Sequence, residues 1–256
     1  GIKMKMNTIC QIAAAAAVTV LASQAMGGKS INVYQPISDN AGFQVTVNAG
    51  SDPVGMYNSG ESFYTFCLEK NEYLDSNPYN VELNTAAKAG GTGGSVGGQD
   101  PLDTKTAYLY TSFMDGSLIS YVDSHLTDMT PDEGYDGYAS DTKQFNQGLQ
   151  DIIWYIEEED SEAEVDAGGD FNAADSANYA DSTISLREYI YRSALLAVDG
   201  GWTGLGDVMV MNLAKGGGTL HQDMLVTTST IPAPGAVLLG SLGIFAARYI
   251  RRGKTG

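Results

Sequence analysis

The chain has 256 residues and carries 14 Lys and Arg against 31 Asp and Glu, a formal net charge of -17 that repels nucleic acid and anionic lipid and favours cations. Hydrophobic residues make up 43% of it, enough to form a core, which excludes a disordered matrix polymer. Its 31 Gly and 15 Tyr, together with many Asn, Asp and Ser, favour a strand-rich surface protein with polar loops.

Lys3 and Lys5 stand ahead of an apolar stretch at residues 12–22, and Ser23-Gln24-Ala25 offers the small residues that a signal peptidase needs. Residues 1–25 are therefore expected to be a secretory signal peptide, with the real start at Met4 or Met6. The body, residues 26–230, is long enough for one sizeable domain or two intimately packed subdomains. Cys10 leaves with the signal peptide, so Cys67 becomes a solitary thiol where thiols normally oxidise. Three fates are open to it: a buried inert thiol, a partner on another molecule, or a bond to something other than sulfur.

Residues 42–47 alternate as a half-buried strand does; residues 62–69, aromatic-rich and carrying Cys67, form a second strand, and 79–83 a third. The glycine-dense stretch 89–98 reads as a surface loop and lacks the Lys-Ser/Thr ending of a phosphate-binding loop. Helical spacing begins after Asp103, over residues 106–113. The clearest helix starts at Ser140 or Asp141, either of which can cap it, and carries the stripe Phe145, Leu149, Ile152, Ile153 and Ile156. Gln150 sits at the edge of that stripe, with Trp154 one turn on. The acidic run Glu157, Glu158, Glu159, Asp160 reads as a solvated exit from the helix. A polar loop at 166–181 leads to a second main helix at 186–198, closed by Gly200-Gly201. Strand character returns at 208–213 and 224–228, with a turn at 215–218. The order predicts an α+β fold: a strand-rich subdomain, sandwich or barrel-like, packed with a small helical subdomain.

The chain ends in Pro232-Ala233-Pro234-Gly235, an apolar run at 236–247, and then Arg248, Arg251, Arg252 and Lys254. The run is shorter than the ~20 residues that span a bilayer comfortably, so a temporary anchor with its basic end held inside is expected. This tail, 231–256, resembles the PEP-CTERM sorting signal in a Pro-Ala-Pro-Gly variant. The resemblance implies transient inner-membrane anchoring, cleavage near the prolines by an exosortase-type enzyme, and delivery to the envelope or an extracellular polysaccharide matrix.

Two further patterns line up: Phe66-Cys67-Leu68, and Leu149-Gln150-Asp151-Ile152-Ile153-Trp154. Together they resemble the thioester domain of bacterial surface adhesins over roughly residues 63–156. Leu149 stands where many members have Thr, and Asp151 where a small residue is common. The resemblance implies a bond between the Cys67 sulfur and the Gln150 side-chain carbonyl. A thiolate can expel ammonia from a carboxamide, whereas a carboxylate has a poor leaving group, so Gln is usable and Glu is not. The product is an acyl donor that a nucleophile on a partner surface can open, becoming attached through Gln150. Phe63, Phe66, Ile153 and Trp154 are the natural candidates to shield it from water. Such a protein reacts once and is not an enzyme.

The alternative is a noncovalent structural or polysaccharide-associated matrix protein with an inert buried cysteine. Asp128, Asp132, Glu133, Asp136 and Asp141 are dense enough for calcium but fit no regular calcium-loop spacing, and read as a solvated acidic loop. Cys67 with His125 or His221 forms no recognisable hydrolase signature, Glu61 and Glu69 do not stand out from the general acidity, and no cofactor or metal is expected.

Overall fold

Burial alternates along the strands at residues 30–34, 43–47 and 62–65 and is nearly continuous along those at 208–214 and 220–227 in the computed structural model, which describes residues 28–34, 42–70, 72–75, 77–88, 98–129, 135–165, 171–178, 184–216 and 218–229. The expected signal peptide and the sorting tail with Pro232, Pro234, Gly235, Arg248, Arg251 and Arg252 lie outside the described residues. So do most of the glycine-dense loop and two members of the acidic cluster, Asp132 and Glu133.

The protein is α+β. Its strands are β1 (Ser30–Tyr34), β2 (Phe43–Val47), β3 (Ser62–Thr65), β4 (Tyr79–Asn84), β5 (Ala86–Lys88), β6 (Gln99–Pro101), β7 (Val208–Ala214) and β8 (Leu220–Thr227). Six of them form one antiparallel sheet in the order β3-β2-β1-β4-β7-β8, while β5 and β6 make a separate two-stranded ribbon. The helices are α1 (Thr104–Met114), α2 (Ser117–Asp123), α3 (Thr142–Ile156), α4 (Glu162–Val165), α5 (Ala173–Ala177) and α6 (Leu186–Asp199). Among the described residues no helix is long and apolar enough to cross a membrane.

β3 changes partner along its length, and this shapes the sheet. Thr65 is its last residue opposite β2, facing Phe43. Beyond it, Leu225 donates its N–H to Phe66 O (3.2 Å) and Leu68 donates to Asp223 O (3.0 Å), with Cys67 opposite Met224. The Thr65 hydroxyl donates to Leu225 O at 2.6 Å across the same seam. The two outer strands of the sheet are thus joined to each other. One face of the strands gathers Ile31, Val45, Phe63, Cys67, Met224 and Val226 into one apolar cluster. The other face sends Phe66, Leu68, Val210 and Leu225 into a second cluster with the buried stripes of α1, α3 and α6.

Each main helix has a chemical reason for its start. Asp103 caps α1, accepting from Lys105 N–H, and Asp141 caps α3, accepting from Gln144 N–H at 3.0 Å. Ser185 and Glu188 form a reciprocal capping box on α6. α3 faces α6 at Gly148, where a Cβ would stand 3.4 Å from the end of the Ile190 side chain.

The strands expected at 42–47, 62–69 and 79–83 are present, the second breaking after Thr65 to cross to β8. β1 is not among the expected strands, although Ser30-Ile31-Asn32-Val33-Tyr34 alternates as a strand does; the β5–β6 ribbon carries no strong strand signal, and the polar loop at 166–181 contains α5, whose Asn172 side chain accepts from Ala174 and Asp175 N–H. The acidic run after α3 is not solvated: Glu157, Glu159 and Asp160 are buried and only Glu158 is exposed. The reason is that these carboxylates are acceptors for the neighbouring loops. Glu157 accepts from Asp103 N–H (3.2 Å), Glu159 from Lys70 N–H (3.4 Å), and Asp160 pairs with the Lys70 ammonium.

The turn at residues 54–57 is bound to the last strand, with Met56 N–H donating to Thr227 O. Gly55 there has φ +58, and a Cβ would lie 2.2 Å from Thr227 O. Gly55→Ala is therefore expected to destabilise the fold by about 2 kcal/mol or more, measured as a lower urea midpoint at unchanged m. An unaltered midpoint would mean that the turn moves off β8 freely.

Candidate functional site

The alternation across the seam decides which way the Cys67 backbone points. Its neighbours Phe66 and Leu68 bond to β8, so its own N–H and C=O face the opposite side, where β2 has already ended. Gln150 fills that gap. Its Oε1 accepts from Cys67 N–H at 3.0 Å and its Nε2 donates to Cys67 O at 2.8 Å, across 83 residues of sequence. The carboxamide behaves as one residue of a missing strand. Gln150 has no solvent exposure and Cys67 has 2%.

α3 delivers Gln150 to this place because Phe145, Leu149, Ile152 and Ile153 on its buried face are fully enclosed. Asp151, the next residue, faces the other way and anchors the helix. Its carboxylate accepts from Arg187 Nε (3.0 Å) and Nη2 (2.9 Å) on α6 and from Gln147 Nε2 (2.7 Å). An acid at this position is a bridge between helices.

The Cys67 thiol is held well above its ordinary pKa, first by burial and then by the nearby Glu69 carboxylate. A cavity of about 410 Å³ reaches it, bounded by Phe43, Trp154, Gln147, Gln222 and Glu72. Of the four shielding candidates, Phe63 shares the Cys67 cluster, stacked on Tyr57 with centroids 4.0 Å apart, and Trp154 packs against that cluster and lines the cavity. Phe66 and Ile153 belong to the helix-facing cluster, where Phe66 meets Phe113 edge-on at 5.1 Å. Phe66 packs under α3, the helix that carries both Ile153 and Gln150, and the cluster they share is separate from the one that holds Cys67.

The other sequence candidates do not converge. His125 Nδ1 pairs with Tyr121 O at 2.8 Å, and His221 lies edge-on to Tyr79 with Nδ1 3.4 Å from Tyr73 O. Neither is hydrogen-bonded to Cys67 among the described residues. Asp141 is spent on capping α3, and no group of acids, histidines and cysteines among the described residues could hold a metal ion. Glu61 accepts from Asn58 N–H in an exposed turn, whereas Glu69 is buried.

Glu69 is the residue that sequence reasoning passed over. The alternation Phe63, Thr65, Cys67, Glu69 carries it back toward the Cys67 side of the strand, and that pattern was available in the sequence. Burial, then the Asp223 and Glu72 carboxylates, push it up to about 9, while its Oε2 accepts from Asp223 N–H at 3.2 Å. Asp223 itself is pushed up to about 7, chiefly by burial. A separate buried acid, Glu157, is pushed up to about 8 for the same reason.

No family model, curated protein or solved structure matches the chain.

Glu69, Glu157 and Asp223 all have folded-state pKa values above their ordinary 4.5, 4.5 and 3.8. Their contribution to stability is complete below about pH 4 and is lost as pH rises through roughly 7 to 9. The melting temperature is therefore expected to fall by roughly 5 °C or more between pH 5 and pH 9. Glu157→Gln, which keeps an acceptor for Asp103 N–H, should shrink that fall in scanning calorimetry, and an identical pH dependence in the variant would refute the assignment.

Proposed function

We propose that this chain is an exported surface or matrix protein that attaches itself covalently to a partner through a Cys67–Gln150 thioester. The observation that carries the reading is the carboxamide of Gln150, enclosed and hydrogen-bonded on both sides of Cys67. In a barrel-like strand layer packed on a small helical subdomain, this is the point where the two layers meet. The signal peptide and the PEP-CTERM-like tail supply the route: signal peptidase, transient membrane anchoring, then an exosortase-type enzyme.

The chemistry balances without a cofactor. The Cys67 sulfur attacks the Gln150 carbonyl carbon, the C–S bond forms, the C–N bond breaks, and nitrogen leaves as ammonia with the thiol proton. A nucleophile on the partner, an amine or a hydroxyl, then attacks the same carbon. The C–S bond breaks, Cys67 recovers a proton, and the partner remains joined to the Gln150 side chain. Exclusion of bulk water keeps the acyl group from hydrolysis before the partner arrives, and Phe63 and Trp154 enclose that side. The cavity beside Trp154 is the way in.

The same two hydrogen bonds favour a second reading, in which the carboxamide only satisfies the Cys67 backbone and the protein is a noncovalent, polysaccharide-associated matrix component. Intact mass separates the two. The thioester reading expects an exported chain lighter than its sequence by one ammonia, a covalent adduct on mild treatment with methylamine, and the full unmodified mass for Cys67→Ala together with lost attachment. An unmodified wild-type mass with Cys67 freely alkylated on unfolding selects the matrix reading. Recovery of the uncleaved chain from the cytosol overturns both.

A further inference from the structure

Two exposed rings line the cavity that reaches Cys67. Tyr34, at the end of β1, is 48% exposed and Tyr73, between β3 and β4, is 80% exposed, and the half-buried Phe43 and Trp154 line the same cavity. The two rings stand on one fixed frame. Asn77 accepts from Val33 N–H with its Oδ1 and donates to Val33 O with its Nδ2, both at 2.8 Å, which ties the segment carrying Tyr73 to the strand carrying Tyr34. In the same segment Asp75 accepts from the Tyr79 hydroxyl at 2.9 Å and pairs with Lys215 at 3.0 Å. Exposed rings gathered at one cavity form a patch, unlike tyrosines scattered singly over a surface.

The polar groups of the cavity wall are fixed as well. Gln147 Nε2 donates to Asp151 Oδ1 at 2.7 Å, Asp151 is itself held by Arg187, and Gln222 Nε2 donates to Glu69 O. Each amide thus has its nitrogen turned to the protein and its carbonyl oxygen left to accept. The charged groups there offer little to an ionic ligand. Lys70 turns its ammonium to Asp160, Asp75 is matched by Lys215, and Glu72 has its Oε2 enclosed. A polyanion also meets the repulsive field of a chain with a net charge of -17.

We propose that this cavity is a binding site for an uncharged saccharide chain, whose rings lie on Tyr34 and Tyr73 and whose hydroxyls donate to Gln147 and Gln222. It goes beyond the thioester, since it needs no covalent bond, and it gives the polysaccharide-associated reading the site on which that reading rests. A sugar ring presents C–H groups on its faces and hydroxyls around its edge, so one ring meets an aromatic surface and a hydrogen-bonding wall together. Each hydroxyl both donates and accepts, which suits amide carbonyls and tyrosine hydroxyls without any counter-charge. Tyrosine rings supply that contact area at low entropy cost, having only two side-chain torsions to fix. The volume of about 410 Å³ is within the range of pockets that hold small ligands, so the end of a chain enters while its next rings lie along the exposed tyrosines.

Calorimetric titration of the exported protein tests this, in a Cys67→Ala background that keeps the backbone groups held by Gln150 and removes any covalent capture. The probes are oligosaccharides of glucose, mannose and N-acetylglucosamine, with an oligouronate and an oligolysine of comparable length as charged controls. At least one neutral probe is expected to bind, and more tightly than either control. Tyr73→Ala, with its melting temperature unchanged because the ring is exposed, is expected to weaken that binding roughly tenfold, and Tyr34→Ala by a similar factor. Full retention of binding in both variants overturns the site and leaves the polysaccharide-associated reading standing, since the saccharide then binds elsewhere. Binding of no neutral probe overturns the proposal, and tighter binding of the oligouronate or the oligolysine overturns the ligand class. The intact mass of the wild-type chain decides the thioester separately, so failure of the one is not mistaken for failure of the other.

Discussion

The fold turns on a pair of hydrogen bonds between one carboxamide and one backbone residue. Where β3 leaves β2 and crosses to β8, the N–H and C=O of Cys67 face an empty strand position inside the protein. Each such group left without a partner costs about 1 to 3 kcal/mol. Gln150 satisfies both at once, at 3.0 and 2.8 Å. It can do so only if α3 is seated on the sheet, which makes helix docking and closure of the seam one event. The packing agrees, since Phe66 and Leu68, on either side of Cys67, enter the same cluster as the buried face of α3.

A second constraint is charge. With 31 acids and 14 bases the chain cannot pair every carboxylate, and the fold uses its cations sparingly. Arg187 goes to Asp151 to couple α3 and α6, and Arg192 donates to the carbonyls of Asp175, Ser176 and Asn178 to hold α5 against α6. Elsewhere protons and backbone N–H groups do the work of cations. Asp223 accepts from Lys88 N–H and Glu157 from Asp103 N–H, and both carboxyls titrate above their usual range. An acidic exterior therefore coexists with buried acids that are neutral over much of the pH scale.

These two constraints explain what the sequence disclosed. The stripe of α3 was legible because helical spacing and burial coincide at Phe145, Leu149, Ile152, Ile153 and Ile156, all of them enclosed. The pairing of Cys67 with Gln150 was expected from the resemblance alone, and the structure brings the Gln150 carboxamide to the Cys67 backbone across 83 residues. The expectation failed where a side chain acts for a distant segment. Glu157, Glu159 and Asp160 read as a solvated run because local sequence cannot reveal that the loops at Lys70 and Asp103 lack acceptors of their own. For Glu69 the alternation from Phe63 to Cys67 disclosed the side of the strand, but its burial is set by β8 arriving from more than 150 positions away. β5 and β6, short and built from Ala, Lys, Gln, Asp and Pro, have almost no intrinsic strand preference, and pairing alone makes them strands.

The position of the seam also bears on what a covalent bond there would do. Closing a loop of 83 residues removes unfolded-state freedom worth about 4.5 kcal/mol in the chain-entropy picture. In the hydrogen-bonded form the carboxamide lies against the backbone of Cys67, so forming the link would exchange contacts to the backbone for a bond to the side chain of the same residue. Opening by a partner's nucleophile would break only the sulfur bond and would leave the Gln150 carbonyl free to accept from Cys67 N–H again. Either product would leave Cys67 O without its present donor, because a trans secondary amide points its N–H away from its own carbonyl oxygen and an ester has no N–H at all. A partner joined through Gln150 would therefore cost this strand residue one buried hydrogen bond, whichever nucleophile it brought.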